Sequence, residues 1–387
     1  MCMSSPGKWQ DYDDIFAAAR KRMPHGFFAY MDHGCGEDLA LTNNRESLRK
    51  IRLRSRVLRD VSARTTATTL FGISQSMPVV IAPTGPAGMV WLDGEVALAR
   101  AAADAGIPFT VSTAATTPLE VIRRSGGGRQ WFQLYMWPDR EQSYEVVARA
   151  AHAGYDALVV TVDSMVPRNR PIEARSGFVP FQWRPRNLLD VIMHPRWMFG
   201  SPIRQLLSGG MVRYENFPGF EKAKVTQLPR VMKNDTVTWT DLEHLRERWR
   251  GTLIVKGITH PADAEKAVAC GVDGIVISNH GGVVLDAAPA PIDLLPGIAQ
   301  AVGGKTTILI DSGFRRGIDV VKALALGADA VMLGRMPLYA LAAAGQVGAS
   351  RALEILQQEI LHTLAMTGCI NPDEVGHDIL WRDDAAT

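Results

Sequence analysis

From Pro78 onward the chain alternates between two patterns. Short apolar runs recur eight times: PVVIAPTG (78–85), FTVSTA (109–114), WFQLY (131–135), ALVVTVD (157–163), LIVKGI (253–258), GIVISN (274–279), TILIDSG (307–313) and AVMLGR (330–335). Between them lie Ala- and Leu-rich segments with apolar residues at helical spacing, such as GEVALARAAADAG, REQSYEVVARAAHAG and PADAEKAVACG, which close on glycine, a helix stop. The runs are apolar at consecutive rather than alternate positions, as expected for parallel strands covered on both faces. Eight βα units predict a TIM barrel. An open doubly wound sheet shares the alternation, but the count of eight and a chain longer than a minimal barrel favour the closed form.

Two segments fall outside the repeat. Residues 10–65 read as helices packed before a barrel that spans 78–370, with 1–387 forming a single domain. Residues 164–238 form an insertion between the fourth strand and its helix, rich in Pro, Arg, Trp and Met (FQWRPRNLLDVIMHPRWMFGSP). Loops of that length commonly serve as lids or binding segments. The aromatic and basic mixture also suits a membrane surface, and a packed surface excursion is the simpler alternative.

Composition narrows the function. With 47% hydrophobic and 21% charged residues, the 387-residue chain is that of a soluble globular protein. Its 42 Lys+Arg against 40 Asp+Glu leave a formal charge of +2, which offers no general attraction to nucleic acid. The four cysteines (Cys2, Cys35, Cys270, Cys369) make no CxxC and accompany no close His pair, so neither a disulfide framework nor a metal centre is expected. The start, MCMSSPGKWQDYDD, lacks the features of a signal peptide, and no run approaches eighteen apolar residues, so a cytoplasmic location is expected.

In a TIM barrel the C-terminal ends of the strands face the active site. Here those ends carry Tyr135, Asp163, Lys256, His280, Asp311 and Arg335. Any one of them could be a satisfied structural group, but six convergent polar residues point to a site. The turns DSGFRRG (311–317) and LGRMP (333–337) fall where TIM barrels commonly hold a phosphate, with Arg315 or Arg335 as charge partner. Lys256 sits among apolar neighbours, where an ammonium needs an anion; that anion is either Asp311 or a ligand. A phosphate at strands seven and eight with a cation at strand five suits flavin mononucleotide.

These residues resemble the FMN-dependent 2-hydroxy acid oxidases and dehydrogenases, the group that holds glycolate oxidase, flavin L-lactate dehydrogenase and mandelate dehydrogenase. The resemblance runs from about Tyr12 to Cys369 through APTG (82–85), FQLY (132–135), TVD (161–163), VKG (255–257), SNHGG (278–282), DSGFRRG (311–317) and GR (334–335). Within the group, DSGFRRG, HPRW (194–197) and Gly85 are most similar to the mandelate dehydrogenase branch. The resemblance implies FMN held by Pro83, Thr84, Gly85, Ser112, Gln133, Thr161, Lys256, Ser278, Asp311, Gly313, Arg315, Gly334 and Arg335. It implies His280 as catalytic base, Asp163 as the carboxylate that orients it, Lys256 beside the flavin ring, Tyr30 and Tyr135 lining the substrate pocket, and Arg170 as a grip on the substrate carboxylate.

One position departs from the pattern. The family follows SNHGG with an arginine that is the principal partner of the substrate carboxylate, and here Val283 stands in its place. Losing such a clamp would cost a free acid roughly 2–5 kcal/mol. The preferred expectation is therefore oxidation of a C–OH or C–NH centre alpha to a carbonyl on a substrate without a free carboxylate there, such as an ester or amide. The alternatives are a mandelate- or lactate-like 2-hydroxy acid dehydrogenase, with Val283 touching a bulky aryl group, and a non-catalytic flavin-binding protein. Gly85 favours an acceptor other than oxygen, so electrons are expected to leave to a quinone, a carrier protein or, failing these, oxygen. The stretch 180–215 is the expected place of peripheral contact with the inner face of a membrane. The resemblance further implies a homotetramer.

Overall fold

A computed structural model describes residues 5–177, 182, 184–209, 212–217 and 234–381. Eight parallel strands close into a barrel: β1 (Val79–Ile81), β2 (Phe109–Ser112), β3 (Gln130–Leu134), β4 (Ala157–Thr161), β5 (Thr252–Ile258), β6 (Gly274–Ile277), β7 (Thr307–Ile310) and β8 (Ala330–Leu333), with β8 pairing back onto β1. Six lie within one of the eight apolar runs, and β3 and β5 begin one residue before theirs, at Gln130 and Thr252. The fold is a TIM barrel, as the alternation predicts.

The distribution of side chains explains why the runs are continuously apolar. Val80, Trp131, Val159, Ile254, Val276, Leu309 and Met332, one from each of seven strands, form a cluster inside the barrel. Their neighbours Ile81, Phe132, Leu158, Leu253, Ile275, Ile310 and Leu333 belong to the larger cluster beneath the surrounding helices. Both faces of these seven strands are thus dry, and each fully buried aliphatic side chain contributes about 1.5–3 kcal/mol.

A short hairpin, Thr68–Leu70 with Ile73–Gln75, was not foreseen, because three-residue strands carry too little periodicity to stand out from a loop. Leu70 and Phe71 pack on the interior cluster, and the Phe71 ring meets Trp131 edge-on at 5.7 Å. A Cβ at Gly274 would lie 2.8 Å from that ring, so β6 begins on a residue that leaves it room. The hairpin closes the N-terminal end of the barrel, leaving the C-terminal end for ligands.

The expected helices before the barrel are Tyr12–Arg22, His25–Asp32 and Leu39–Lys50. Helix does not continue to residue 65. Beyond Lys50 the backbone pairs with the C-terminal segment: Arg54 N–H donates to Ile379 O at 2.7 Å, and Trp381 N–H to Arg52 O at 2.9 Å. Those partners satisfy the backbone in an extended form, so no helix is needed there. The first helix is capped by Asp11, whose carboxylate accepts from the Asp13 and Asp14 N–H groups. In the insertion after β4, four short helices, Pro171–Ser176, Pro185–Met193, Pro195–Gly200 and Pro202–Gly209, each start on a proline. Residues 180, 181, 183, 210 and 211 of the stretch expected to touch a membrane lie outside the described residues.

Candidate active site

The C-terminal ends of the strands open into a cavity of about 340 Å³. Its walls include Pro83, Thr84 and Gly85 after β1, Ser112 from β2, Tyr135 after β3, Lys256 from β5, His280 and Val283 after β6, Asp311 and Gly313 after β7, and Gly334 and Arg335 after β8. Tyr30 and Arg170 reach it from outside the barrel. Gln133, Thr161 and Ser278 stand just behind the wall. Gln133 Nε2 donates to Thr161 Oγ1 at 3.0 Å, and its Oε1 accepts from Ser112 Oγ at 3.2 Å.

His280 occupies a left-handed backbone conformation, φ +57°, which costs an L-residue roughly 1–2 kcal/mol. Its surroundings hold it there. The His280 N–H donates to Ser278 Oγ at 3.0 Å, Gly281 N–H to Ser312 Oγ at 2.9 Å, and Gly282 N–H to Asn279 Oδ1 at 3.1 Å. Gly282 must lack a side chain, because a Cβ would sit 2.6 Å from the Leu41 backbone nitrogen. The SNHGG stretch is therefore a turn that aims the imidazole into the cavity.

His280 Nδ1 lies 2.8 Å from Asp163 Oδ1, which fixes a proton on Nδ1 and leaves the Nε2 lone pair facing the pocket. Burial pulls the His280 pKa below its ordinary value; Asp163 opposes this, and the nearby Arg168 and Lys256 cations reinforce it. Burial resists ionisation of Asp163, yet His280 and Lys256 hold its carboxyl below the usual range. The result is a neutral imidazole backed by a carboxylate, which is the arrangement of a general base. Tyr135 Oη is 3.4 Å from His280 Nε2, and the two rings are nearly parallel. Burial raises the Tyr135 hydroxyl pKa, so it stays protonated.

Lys256 pairs with Asp311 at 3.0 Å and donates to Ser278 Oγ at 2.8 Å. Of the two sequence alternatives for its counter-ion, the internal carboxylate is present, while the ammonium still borders the cavity. Burial works against its charge, but Asp311 and Asp163 outweigh it and the pKa stands above the ordinary value.

Three expected arginines are held by protein groups. Arg170 donates to the carbonyls of Gly34 (3.1 Å), Tyr30 (2.7 Å) and His33 (2.7 Å) and to Glu173 Oε1 (2.9 Å). Most of its donors are thereby spent on tying the loop after β4 to the N-terminal helices, which differs from the expected grip on a substrate. Arg335 donates to the carbonyls of Met31 (3.0 Å) and Gly281 (2.9 Å). The Arg315 guanidinium lies 4.9 Å from the centre of the Tyr12 ring. Arg45, which no motif singles out, also lines the cavity with Arg315 and pairs with Asp319 at 2.8 Å.

A further residue was missed. Arg168 Nη2 lies 3.1 Å from His280 Nε2 and 3.5 Å from Tyr135 Oη. It lies two residues before Arg170 in the stretch PRNR, and motif matching selects only the second arginine. Phe27, Val90 and Tyr214 also line the cavity.

Residues 19–382 match the model of a family described as FMN-dependent dehydrogenase. The chain is 41% identical to an L-lactate dehydrogenase of Caulobacter sp. strain K31, over 96% of this chain and 98% of that one. It is 42% identical to an L-lactate dehydrogenase of Chromohalobacter salexigens, covering 96% and 95%. Among solved structures it is similar to a monotopic membrane protein, (S)-mandelate dehydrogenase, with a TM-score of 0.91, 37% identity and coverage of 97% and 100%.

Proposed function

This chain belongs to the FMN-dependent dehydrogenase family, and from that premise we propose that it oxidises a small 2-hydroxy acid with His280 as the base. The observation that carries the proposal is the neutral imidazole at 2.8 Å from Asp163, directed into a cavity bordered by Lys256 and Tyr135.

The cavity fits the cofactor. Thr84 Oγ1 is buried at the wall and has no hydrogen-bond partner among the described residues, so it is available to a bound group. Gly85 has a close neighbour in the Ala114 carbonyl, 3.0 Å from where a Cβ would be, which keeps this wall thin. Pro83, Thr84, Ser112, Gln133, Thr161, Lys256 and Ser278 would hold the ring and ribityl portions of FMN, and Asp311, Gly313, Arg315, Gly334 and Arg335 the ribityl and phosphate portions. When bound, FMN supplies the acceptor for two electrons.

The protein groups supply the proton chemistry. His280 Nε2 would take the proton as the substrate is oxidised, and Asp163 would stabilise the imidazolium through Nδ1. The Tyr135 hydroxyl would orient the reacting oxygen, and Tyr30 would stand on the carboxylate side. Phe27, Val90, Val283 and Tyr214 would exclude water.

The relatives named L-lactate and (S)-mandelate dehydrogenase support a free 2-hydroxy acid as the first reading, the reverse of the order expected from Val283 alone. Val283 is buried and apolar at the cavity wall, and that supports a second reading in which an ester, amide or amine is oxidised instead. Anaerobic titration of the yellow holoprotein separates them. Loss of the oxidised flavin band on adding mandelate or lactate supports the first reading. Faster bleaching by the corresponding amides or esters supports the second, and bleaching by none, with normal chemical reduction, supports a non-catalytic flavoprotein.

No helix among the described residues is long and apolar enough to cross a membrane. The insertion nevertheless exposes Leu189, Ile192, Met193, Phe199, Leu206 and Leu207 on adjacent short helices, near Arg186, Arg196 and Arg204. This face suits peripheral docking on anionic lipid, with a quinone as the acceptor reached from it. Flotation with phosphatidylglycerol vesicles tests it: co-flotation of the protein supports docking, and full recovery in the soluble fraction removes it.

A further inference from the structure

The cations bordering the cavity near His280 differ in what already occupies them. Lys256 is paired with Asp311, Arg170 with Glu173 and three backbone carbonyls, and Arg335 with backbone carbonyls. Arg168 alone of these four has neither a carboxylate nor a backbone carbonyl partner among the described residues. Its two contacts are His280 Nε2 at 3.1 Å and Tyr135 Oη at 3.5 Å. Both are groups that a reacting substrate must itself engage. A guanidinium donating only to an imidazole and a phenol is electrostatically under-satisfied, and a carboxylate is a far stronger acceptor for it.

We propose that Arg168 is the carboxylate grip of this enzyme, supplied from the loop after β4 in place of a cation on the turn after β6, where Val283 stands. The proposal rests on the 2-hydroxy acid reading and deepens it. The three polar atoms form a triangle, with Tyr135 Oη 3.4 Å from His280 Nε2. A carboxylate held at about 2.8 Å from Nη2 places the α-carbon one bond further on. The carbon and its hydroxyl then fall within reach of both Nε2 and the phenol. Entry of the acid would also draw the guanidinium off Nε2 and free that lone pair as the substrate arrives. Val283, buried at the cavity wall, adds apolar contact instead of a second charge. Fixing the loop is left to Arg170, whose guanidinium packs at 5.0 Å over the Tyr30 ring. The two arginines of PRNR thus divide the work: one holds the wall, and the other faces the ligand.

The test uses FMN-loaded protein and two pairs of non-oxidisable probes, phenylacetate with phenylacetamide and propionate with propionamide, followed by calorimetry. The wild type should bind the acid of at least one pair more tightly than its amide. Arg168→Met should weaken the acid by about 30-fold or more and leave the amide unchanged, with Arg168→Lys intermediate because it keeps charge but not the forked geometry. Retained yellow colour and melting temperature show that the variants are folded; if Arg168→Met does not load FMN, Arg168→Lys and Arg168→Gln carry the comparison. Equal acid affinity in wild type and variant overturns the proposal, as does an equal loss for acid and amide. A wild type whose flavin no 2-hydroxy acid reduces refutes the parent reading instead.

Discussion

The two ends of the barrel follow opposite rules. At the N-terminal end the hairpin residues Leu70 and Phe71 seal an interior of aliphatic and aromatic side chains. At the C-terminal end the same eight strands deliver a buried lysine, the buried Asp311 and the partly buried Asp163 carboxylates, an imidazole in a left-handed conformation and a phenol around a cavity. The first end gains free energy from apolar burial. The second holds charges and backbone strain that only a stable scaffold can carry. Stability and chemistry are therefore separable by mutation, which the following changes test in order of expected effect.

His280→Asn should slow flavin reduction by 2-hydroxy acids by about 10²- to 10⁴-fold. Asn tolerates the left-handed backbone, so FMN content and melting temperature should stay close to wild type, and stopped-flow bleaching with absorbance spectra checks both. At the other end, Leu70→Ala should cost about 2–5 kcal/mol in denaturant unfolding while leaving the preference among substrates unchanged. A change in preference would show that the two ends are coupled. Asp163→Asn sharpens the contrast within the site. Asp163 raises the His280 pKa against the effect of burial, so removing its charge lowers that pKa further. The acid limb of flavin reduction then moves to lower pH, and the rate falls by about tenfold for each unit by which the imidazolium is destabilised. The smallest effect is expected for Gly85→Ala, where the new Cβ meets the Ala114 carbonyl at 3.0 Å. A penalty of about 1 kcal/mol, read as weaker FMN retention, follows from slight overpacking.

The barrel was legible because its signal is repeated and local. Eight apolar runs separated by helical spacing leave few other folds, and each strand falls on its run to within one residue. The hairpin was not legible, since three-residue strands have almost no period and its value lies in contacts with Trp131 and Gly274, distant in sequence. The extended course of residues 51–65 was hidden for the same reason, its partners being at residues 366–381. Among site residues, His280, Asp163, Lys256 and Tyr135 could be found because they end strands. Arg168 could not, because spacing from Asp163 does not say which of two arginines in PRNR turns inward. That choice is made by the carbonyls of Tyr30, His33 and Gly34, which engage Arg170.

The central claim is that a neutral His280 takes a proton from the substrate, and the pH dependence of anaerobic flavin reduction tests it most directly. The wild type should show a rate that is constant through neutral pH and falls on acidification with a midpoint below the ordinary histidine value, and His280→Asn a slow rate without that limb. An identical pH profile and rate in the two proteins would contradict it.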